Sequence, residues 1–249
     1  MSKYNLDFIS DENILKHVKE TVEKYRFAID LKDFNKNLID PIKMTFDSRV
    51  YKENIEDRIE NEVSRQIDKS NTNLIGYFHQ NIFKYITNFW NVPKKGFDII
   101  NEKEKIYVEM KNKHNTMNSS SSQKTYMRMQ HKINSKPNAV CFLVEVIAKN
   151  SQNIPWQISL DGESISNEKI RRISIDIFYE IVTEDKFAFK KLCEQLPIII
   201  NDAVNILDDR TSTNTVLNEL REYSENTLES LYLLSFKKYQ GFSNDFNVK

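Results

Sequence analysis

Glycine and proline are scarce in this chain of 249 residues, with four of one and five of the other. This scarcity leaves little room for a long flexible linker, so we expect one large domain with at most a modest accessory lobe. The sequence has no run of about eighteen apolar residues and no basic, apolar and small-residue regions at its N-terminus. These absences argue against a membrane span and a signal peptide.

Cysteine is equally rare. Cys141 and Cys193 are isolated from each other, and their spacing does not fit a metal site. Cys141 lies in the apolar run AVCFLVEV, which predicts a small buried thiol rather than a ligand or a disulfide. A chain without disulfides is typical of a reducing compartment, and we expect the cytoplasm.

Acidic residues are missing from residues 110–144, although the whole chain holds 36 Asp and Glu against 36 Lys and Arg. This stretch has a local charge of +6, which the rest of the chain balances with −6. Its fixed cations are Lys111, Lys113, Lys124, Arg128, Lys132 and Lys136. A charge run usually forms only a solvated face. A long acid-free stretch in a chain rich in acids also suits a surface that follows nucleic-acid phosphates, because neutralised phosphates release condensed counterions.

Apolar periodicity predicts helices before and after a small sheet. The first fifty residues read as helical pieces broken near Pro41, and Ser70 or Asn71 is expected to cap a helix. Further helices are expected at 51–68, 72–90, 125–133, 186–207 and 215–239. Strands are expected at 97–100, 105–111, 139–148 and 172–182, with loops over 112–123 and around Pro155. This pattern predicts an α/β (mixed α+β) fold, a small mixed central sheet flanked by helices.

Three charged side chains converge on the hairpin of the first two predicted strands. Glu109 and Lys111 are two residues apart in a strand, so they leave the same face, whereas Met110 points into the core. Asp98 lies eleven residues before Glu109, on the partner strand, where it can sit opposite the pair. Two carboxylates and the backbone carbonyl of Met110 are hard oxygen ligands of the kind that Mg²⁺ prefers.

This trio fits metal-assisted hydrolysis of a phosphodiester. The metal would polarise the phosphate and activate a bound water, and Lys111 would orient or help deprotonate that water. On spacing alone, Glu-x-Lys on a strand is more often a pair of solvated charges. The apolar flanks of the strand and the basic stretch that follows favour the catalytic interpretation.

The residues after Lys111 are rich in Asn, Ser and Lys, a composition that also suits a merely flexible loop. In the functional interpretation they bond phosphates and base edges, since Asn pairs well with adenine and Lys with guanine. The predicted DNA-binding residues here are Asn112, Lys113, His114, Asn115, Asn118, Ser119, Ser120, Gln123 and Lys124. The sequence does not separate contacts that position the DNA from those that read it.

Five polar residues before the hairpin are weaker candidates. His79, Gln80 and Glu62 are secondary active-site candidates, and Arg65 and Lys69 are candidate DNA contacts. The simpler alternatives are a half-buried structural role for His79 and plain surface solvation for the other four.

The segments GFDII and IYVEMKNKHNTMNSSSS resemble the core of PD-(D/E)XK nucleases. The first acid of that motif corresponds to Asp98 and its E-x-K to Glu109 and Lys111, while Phe97 stands where the general pattern has proline. Together with RQIDKSN, GYFHQ and FYEIVTEDKFAFKKLC, the chain from about 65 to 197 resembles type II restriction endonucleases that cut interrupted GGCC sites, GGNCC or GGWCC.

The resemblance implies a PD-(D/E)XK core at about 65–197 and does not cover the first sixty or the last forty residues. We expect one endonuclease domain of 1–249, with helical additions at about 1–64 and 208–249 as candidates for DNA binding or dimerisation. The resemblance also implies Mg²⁺-dependent cleavage of both strands of double-stranded DNA by a prokaryotic, cytoplasmic homodimer. A DNA methyltransferase that protects the host would be its functional partner. A palindromic site agrees with two-fold symmetry, since each subunit can then cut one half-site.

Two alternatives remain at this point. A repair or structure-specific nuclease with the same core would cut branched or nicked DNA with little dependence on sequence. A non-catalytic DNA-binding module would retain DNA without metal and without cleavage.

Overall fold

The structure is a computed structural model that describes residues 2–207, 212–236 and 239. The helices are α1 (Asp11–Glu23), α2 (Leu31–Asn35), α3 (Pro41–Tyr51), α4 (Ile55–Asn81), α5 (Phe83–Ile86), α6 (Ser119–Ser135), α7 (Ile175–Thr183), α8 (Ala188–Ile206), α9 (Val216–Arg221) and α10 (Thr227–Phe236). The strands are β1 (Ala28–Ile29), β2 (Ile99–Asn101), β3 (Ile106–Lys113), β4 (Val140–Ile147), β5 (Asn153–Leu160), β6 (Glu163–Ser174) and β7 (Thr213–Asn214).

The described residues divide into two compact units. Unit 1 comprises residues 2–24 and 74–207, and unit 2 comprises residues 25–73, 212–236 and 239. Helix α4 contributes to both. The organisation of 1–249 as a single endonuclease domain stays a prediction.

A five-stranded mixed sheet in the order β2-β3-β4-β6-β5 forms the centre of unit 1. Strands β3, β4 and β6 are parallel, and β2 and β5 pair antiparallel at the two edges. The apolar run AVCFLVEV forms the middle strand β4. Its continuous apolar character follows from burial on both faces, which is usual for parallel strands.

Helices cover both faces of this sheet. On one face, Val108 and Met110 pack in a core with residues of α1, α4, α7 and α8. On the other face, Tyr107, Cys141 and Leu143 pack against α6. This arrangement confirms the predicted fold class, a mixed α/β protein with helices around a central mixed sheet, and it is consistent with a PD-(D/E)XK-like core.

Cys141 is buried and free, as predicted, and Cys193 is free and exposed. Burial raises the pKa of the Cys141 thiol to about 12, so this thiol is unreactive at neutral pH. Among the described residues, no helix is both long and apolar enough to cross a membrane.

The predicted break between helices at 51–68 and 72–90 is wrong, because α4 runs through it without interruption. The Asn71 side chain does not cap a helix there. It accepts a hydrogen bond from the backbone N–H of Arg26 at 2.8 Å and donates one to the Arg26 carbonyl at 3.3 Å. The second helix also ends earlier than predicted, at Asn81, and the short α5 follows.

The predicted polar loop over 112–123 is largely wrong. Strand β3 continues to Lys113 because it pairs with Ile147 of β4. Helix α6 already begins at Ser119, since the side chain of Asn118 accepts a hydrogen bond from the backbone N–H of Ser121 at 2.9 Å. Only five residues, 114–118, remain between the strand and the helix.

Two predictions around β5 and β6 are also wrong. The segment around Pro155 is not a loop but lies in β5, an edge strand, where the missing N–H of proline is tolerated. Strand β6 ends at Ser174, and residues 175–183 form α7 instead of continuing the strand. Ile175, Phe178, Tyr179 and Val182 are buried at helical spacing, which overrides the alternation that the first few residues also show.

Unit 2 has a separate core, in which Phe34, Ile59, Val63 and Leu231 are buried. The predicted helix 215–239 is interrupted in the structure. Helix α9 ends at Arg221, and Asn226 starts α10 by accepting a hydrogen bond from the backbone N–H of Leu228 at 3.1 Å. The parts of this prediction and of the C-terminal addition at 208–211, 237–238 and 240–249 lie outside the described residues.

Candidate active site

Strands β2 and β3 form the predicted hairpin. Their register pairs Ile99 with Val108, and Asp98 directly precedes this last pair of the ladder. The backbone N–H of Asp98 donates to the Val108 carbonyl at 2.9 Å. A carboxylate oxygen of Asp98 accepts from the backbone N–H of Met110 at 2.8 Å. These two bonds hold Asp98 and its carboxylate against β3, close enough to Glu109 for the two charges to interact.

Glu109 is buried, with 8% of its surface exposed, and both of its carboxylate oxygens bind cations. Oε1 accepts a hydrogen bond from Lys111 Nζ at 2.9 Å. Oε2 forms an ion pair with the guanidinium of Arg128. The structure thus brings together Asp98, Glu109 and Lys111, the three residues that the sequence singled out, and adds Arg128.

Arg128 reaches this site from α6, which packs on the Tyr107 face of the sheet. Its NH1 group also donates to the Gly96 carbonyl at 3.1 Å, and its guanidinium lies 5.0 Å from the centroid of the Phe97 ring. In the sequence, Arg128 stands out only as one cation of the basic stretch. No local pattern predicts its contact with Glu109, which lies 19 residues earlier in the chain.

Burial raises the pKa of Asp98, and the negative charge of Glu109 raises it further. The hydrogen bond from Met110 and the charges of Lys111 and Arg128 act in the opposite direction without reversing the shift. The carboxylates of Asp98 and Glu109, both largely removed from water, therefore repel each other. A divalent cation between them would offset this repulsion and favour the charged form of Asp98.

The donors present fit such a cation. Because alternate residues of a strand direct their carbonyls to the same neighbour, the Met110 carbonyl points to the side of β2, as that of Val108 does. Asp98, Glu109 and this carbonyl form a sparse, all-oxygen set, which is typical of Mg²⁺ sites that retain several waters. In the described part of the chain, no group of three or more His, Cys, Asp or Glu side chains could hold a metal.

A second buried carboxylate, Glu145, was not among the site residues predicted from the sequence. It lies on β4 in register with Lys111 and is only 1% exposed. Its two partners are a histidine and an arginine. His114 Nδ1 lies 2.9 Å from Oε2, and Arg172 NH2 lies 3.3 Å from Oε1. The signal was available, because Glu145 interrupts the run AVCFLVEV just as Asp98 interrupts GFDII.

The predicted DNA-binding residues after β3 differ in their surroundings. Several are exposed and have their side chains open to solvent: Lys113, Asn115, Asn118, Ser119, Ser120 and Lys124. The others are engaged within unit 1. His114 is bound to Glu145, and Gln123 donates to the Ser159 carbonyl at 2.8 Å.

Asn112 packs against helix α4. A Cβ atom at Gly76 would lie 3.2 Å from the Asn112 side-chain amide, so glycine is what permits α4 to approach the end of β3 this closely. Gln80 lies one helical turn after Gly76 and is half-buried on that side of α4. Since Asn112 and Lys111 leave opposite faces of β3, this part of α4 packs on the face of the sheet away from α6.

His79 points into the protein interior. Its ring lies 5.4 Å from that of Phe78, and its Nδ1 is buried without a hydrogen-bond partner. Burial lowers the pKa of His79 to about 4, and the neighbouring His17 contributes to the shift, so the ring is neutral at pH 7. These surroundings suit the structural alternative considered for it.

Three of the weaker candidates lie in unit 2, whereas Asp98, Glu109 and Lys111 belong to unit 1. Glu62 accepts hydrogen bonds from Arg65 Nε at 2.6 Å and from Gln66 Nε2 at 3.1 Å. These bonds hold the pKa of Glu62 below its usual value against the effect of burial, which is the largest influence and raises it. Lys69 is exposed.

Comparisons with known proteins show the family of this chain. The family model of the Eco47II restriction endonuclease matches residues 6–205, which include the whole site. Type II restriction enzyme Sau96I of Staphylococcus aureus is 31% identical over 214 residues, 81% of this chain and 82% of that protein. Type II restriction enzyme Eco47II of Escherichia coli is 29% identical over 204 residues, 77% of this chain and 85% of that protein.

These matches define the chain as a type II restriction enzyme, a site-specific deoxyribonuclease that acts on DNA. Within that class, it belongs to the Eco47II restriction endonuclease family. The family decides against the two alternatives, a structure-specific nuclease and a non-catalytic module. Restriction enzymes of type II generally use a divalent metal ion.

Proposed function

We propose that this enzyme cleaves both strands of DNA at GGNCC or GGWCC in a Mg²⁺-dependent reaction at Asp98, Glu109 and Lys111. One observation carries the assignment of the site. The Asp98 carboxylate accepts a hydrogen bond from the N–H of Met110, the residue after the buried Glu109, and the Lys111 amine lies 2.9 Å from the Glu109 carboxylate. The proposed recognition sequence rests on the resemblance of the KNKHNTMNSSS string.

In this mechanism Asp98, Glu109 and the Met110 carbonyl would hold the metal. When bound, Mg²⁺ supplies Lewis-acid polarisation of the scissile phosphate and lowers the pKa of a coordinated water. The Lys111 ammonium orients the attacking water and stabilises the negative charge that develops on the phosphate. Met110 N–H keeps the Asp98 carboxylate in a fixed direction through the 2.8 Å hydrogen bond.

DNA reading is proposed for residues 113–124. Exposed Lys113 and Lys124 supply positive charge, and exposed Asn115 supplies an amide. Ser119 and Ser120 lie in the first turn of α6, where unpaired backbone N–H groups and the helix dipole favour a phosphate. Residue 113 ends the strand that carries Glu109 and Lys111, so the segment proposed to read DNA follows the catalytic strand directly in the chain.

We further propose a homodimer that acts in a prokaryotic cytoplasm, together with a DNA methyltransferase that protects the host genome. A palindromic site supports the dimer, because two-fold symmetry then gives each half-site one active site. The methyltransferase is a functional partner and need not bind the enzyme.

Digestion of a sequenced plasmid tests this proposal. With Mg²⁺ we expect discrete fragments whose ends, read by run-off sequencing, lie within GGNCC or GGWCC. With EDTA, or with an Asp98→Asn protein prepared in the same way, the plasmid should stay intact. A smear, nicking confined to branched DNA, or retention of DNA without cleavage would each contradict the proposal.

Two substitutions test whether the residues after β3 read bases without disturbing their structural roles. Asn115 has a φ of 53°, which glycine tolerates, so Asn115→Gly removes only the amide. Asn118 caps α6, and Asn118→Ser keeps a capping oxygen. Each variant should lower the ratio of kcat/KM on the cognate site to kcat/KM on one-base variants by about 10- to 100-fold.

The matched control is Asn134→Ser at the other end of α6, an exposed position whose side chain pairs with Gln130. It should leave discrimination unchanged. Equal losses on cognate and random DNA in the Asn115 and Asn118 variants would show that these residues contact only the backbone of DNA.

A further inference from the structure

Arg128 and the proposed metal compete for the same carboxylate. Arg128 pairs with Glu109 Oε2, while Lys111 binds Oε1 at 2.9 Å. A metal ion bound by Glu109 needs at least one of these oxygens. Without metal, therefore, a cation of the protein itself occupies the ligand.

The net charge of the site differs between its metal-free and metal-bound states. Asp98 and Glu109 contribute two negative charges, and Lys111 and Arg128 contribute two positive ones, so the metal-free site is close to neutral. A divalent cation would leave an excess of two positive charges at a buried location, which is unfavourable unless an anion accompanies it. The DNA phosphate supplies that anion, and it is also a good bidentate partner for a guanidinium.

Arg128 is placed where it could contact bound DNA as well as Glu109. Its side chain is 39% exposed, in contrast to the 11% of the Glu109 side chain, so the arginine is much more accessible to solvent than the carboxylate it binds. Its stem is fixed on α6, the helix whose first turn holds the proposed phosphate contacts Ser119 and Ser120. Arg128 and Glu109 thus belong to different elements, α6 and β3, and are joined through their side chains.

We propose that Arg128 is a counter-ion that occupies Glu109 in the free enzyme and transfers to the DNA phosphate when metal and DNA bind together. This inference rests on the proposed function. It makes the binding of metal and of DNA cooperative, because each removes a competitor of the other. The free enzyme then binds the divalent ion weakly, and tight binding of the ion requires bound DNA.

The test is Mn²⁺ binding to the full chain in the absence of DNA, measured from the electron paramagnetic resonance signal of free Mn²⁺. Arg128→Gln removes the competing charge and should bind Mn²⁺ about tenfold more tightly than wild type. Lys132→Gln is the matched control, since it removes the same charge one turn further along α6, where Lys132 lies over the Tyr107 ring. It should bind Mn²⁺ as wild type does.

If Arg128→Gln fails to fold, Arg128→Met serves as the second variant. The long apolar side chain of methionine also removes the charge and retains packing on Phe97. Equal Mn²⁺ affinity in wild type and the Arg128 variants, weaker binding in the variants, or no binding in any of them overturns the inference. None of these results affects plasmid cleavage by wild type, which tests the proposed function separately. Adding Asp98→Asn to Arg128→Gln should abolish the Mn²⁺ binding of that variant, which would show that the ion binds at the site of Asp98 and Glu109.

Discussion

Asp98→Asn and Glu109→Gln should each slow DNA cleavage by at least about a thousandfold while the protein stays folded. Both variants keep the shape of the side chain and remove one of the two carboxylates that would hold the metal. Asp98→Asn keeps an oxygen that can accept the hydrogen bond from Met110 N–H, whereas Asp98→Ala would leave this N–H without its partner. Single-turnover cleavage of a labelled duplex, with circular dichroism as the check on folding, measures the effect.

DNA affinity should survive in both variants or increase, because a negative charge that repels phosphate has been removed. The matched control is Glu104→Gln, which changes an exposed carboxylate in the turn of the same hairpin. It should cleave at the wild-type rate. If either Asp98→Asn or Glu109→Gln cut DNA almost as fast as wild type, the assignment of the active site would be wrong.

Lys111→Met should slow cleavage by about 10²- to 10⁴-fold without weakening metal binding, because the substitution removes a positive charge next to the ligand Glu109. The Lys111 ammonium binds Glu109 Oε1 and is not itself a metal ligand, so its loss removes the group that orients water and stabilises charge on the phosphate. Methionine preserves most of the length of the side chain. The rate of a single turnover and the Mn²⁺ affinity of the same preparation separate these two effects.

Lys103→Met is the control for Lys111→Met, because Lys103 is exposed in the hairpin turn and its amine lies 4.6 Å from the Phe89 ring centroid. Its loss should change neither quantity. A Lys111→Met enzyme as fast as wild type would reduce Lys111 to a surface charge. Loss of Mn²⁺ binding together with cleavage would mean instead that Lys111 acts by holding Glu109 in place.

The hairpin could be predicted from the sequence because its information is local. Strand alternation puts Glu109 and Lys111 on one face, and the hairpin brings Asp98 to the same strand, where its carboxylate binds Met110 N–H. The partners of Glu109 and Glu145 could not be predicted in this way. Arg128 and Arg172 are 19 and 27 residues away from the carboxylates they bind, and only the packing of α6 and β6 brings them there.

The errors in secondary structure have a similar origin. The residues of α7 begin with an alternating pattern that is equally compatible with a strand, and only the fold shows that Phe178 and Tyr179 both face the core. Pro155 signals a break unless its strand is known to lie at an edge. Asn71 resembles a helix cap until the position of Arg26 is known.

His114 connects the segment proposed for recognition to the sheet. Its ring is held by Glu145 on β4, next to Lys111 in the register, and its backbone N–H donates to the Ile147 carbonyl at 2.9 Å. Residues 115–118 therefore leave the sheet from an anchored point that borders the catalytic strand. Exchange of this segment with that of a relative, as a way to engineer a new recognition sequence, should alter turnover as well as selectivity unless His114 and Glu145 are transferred together with it.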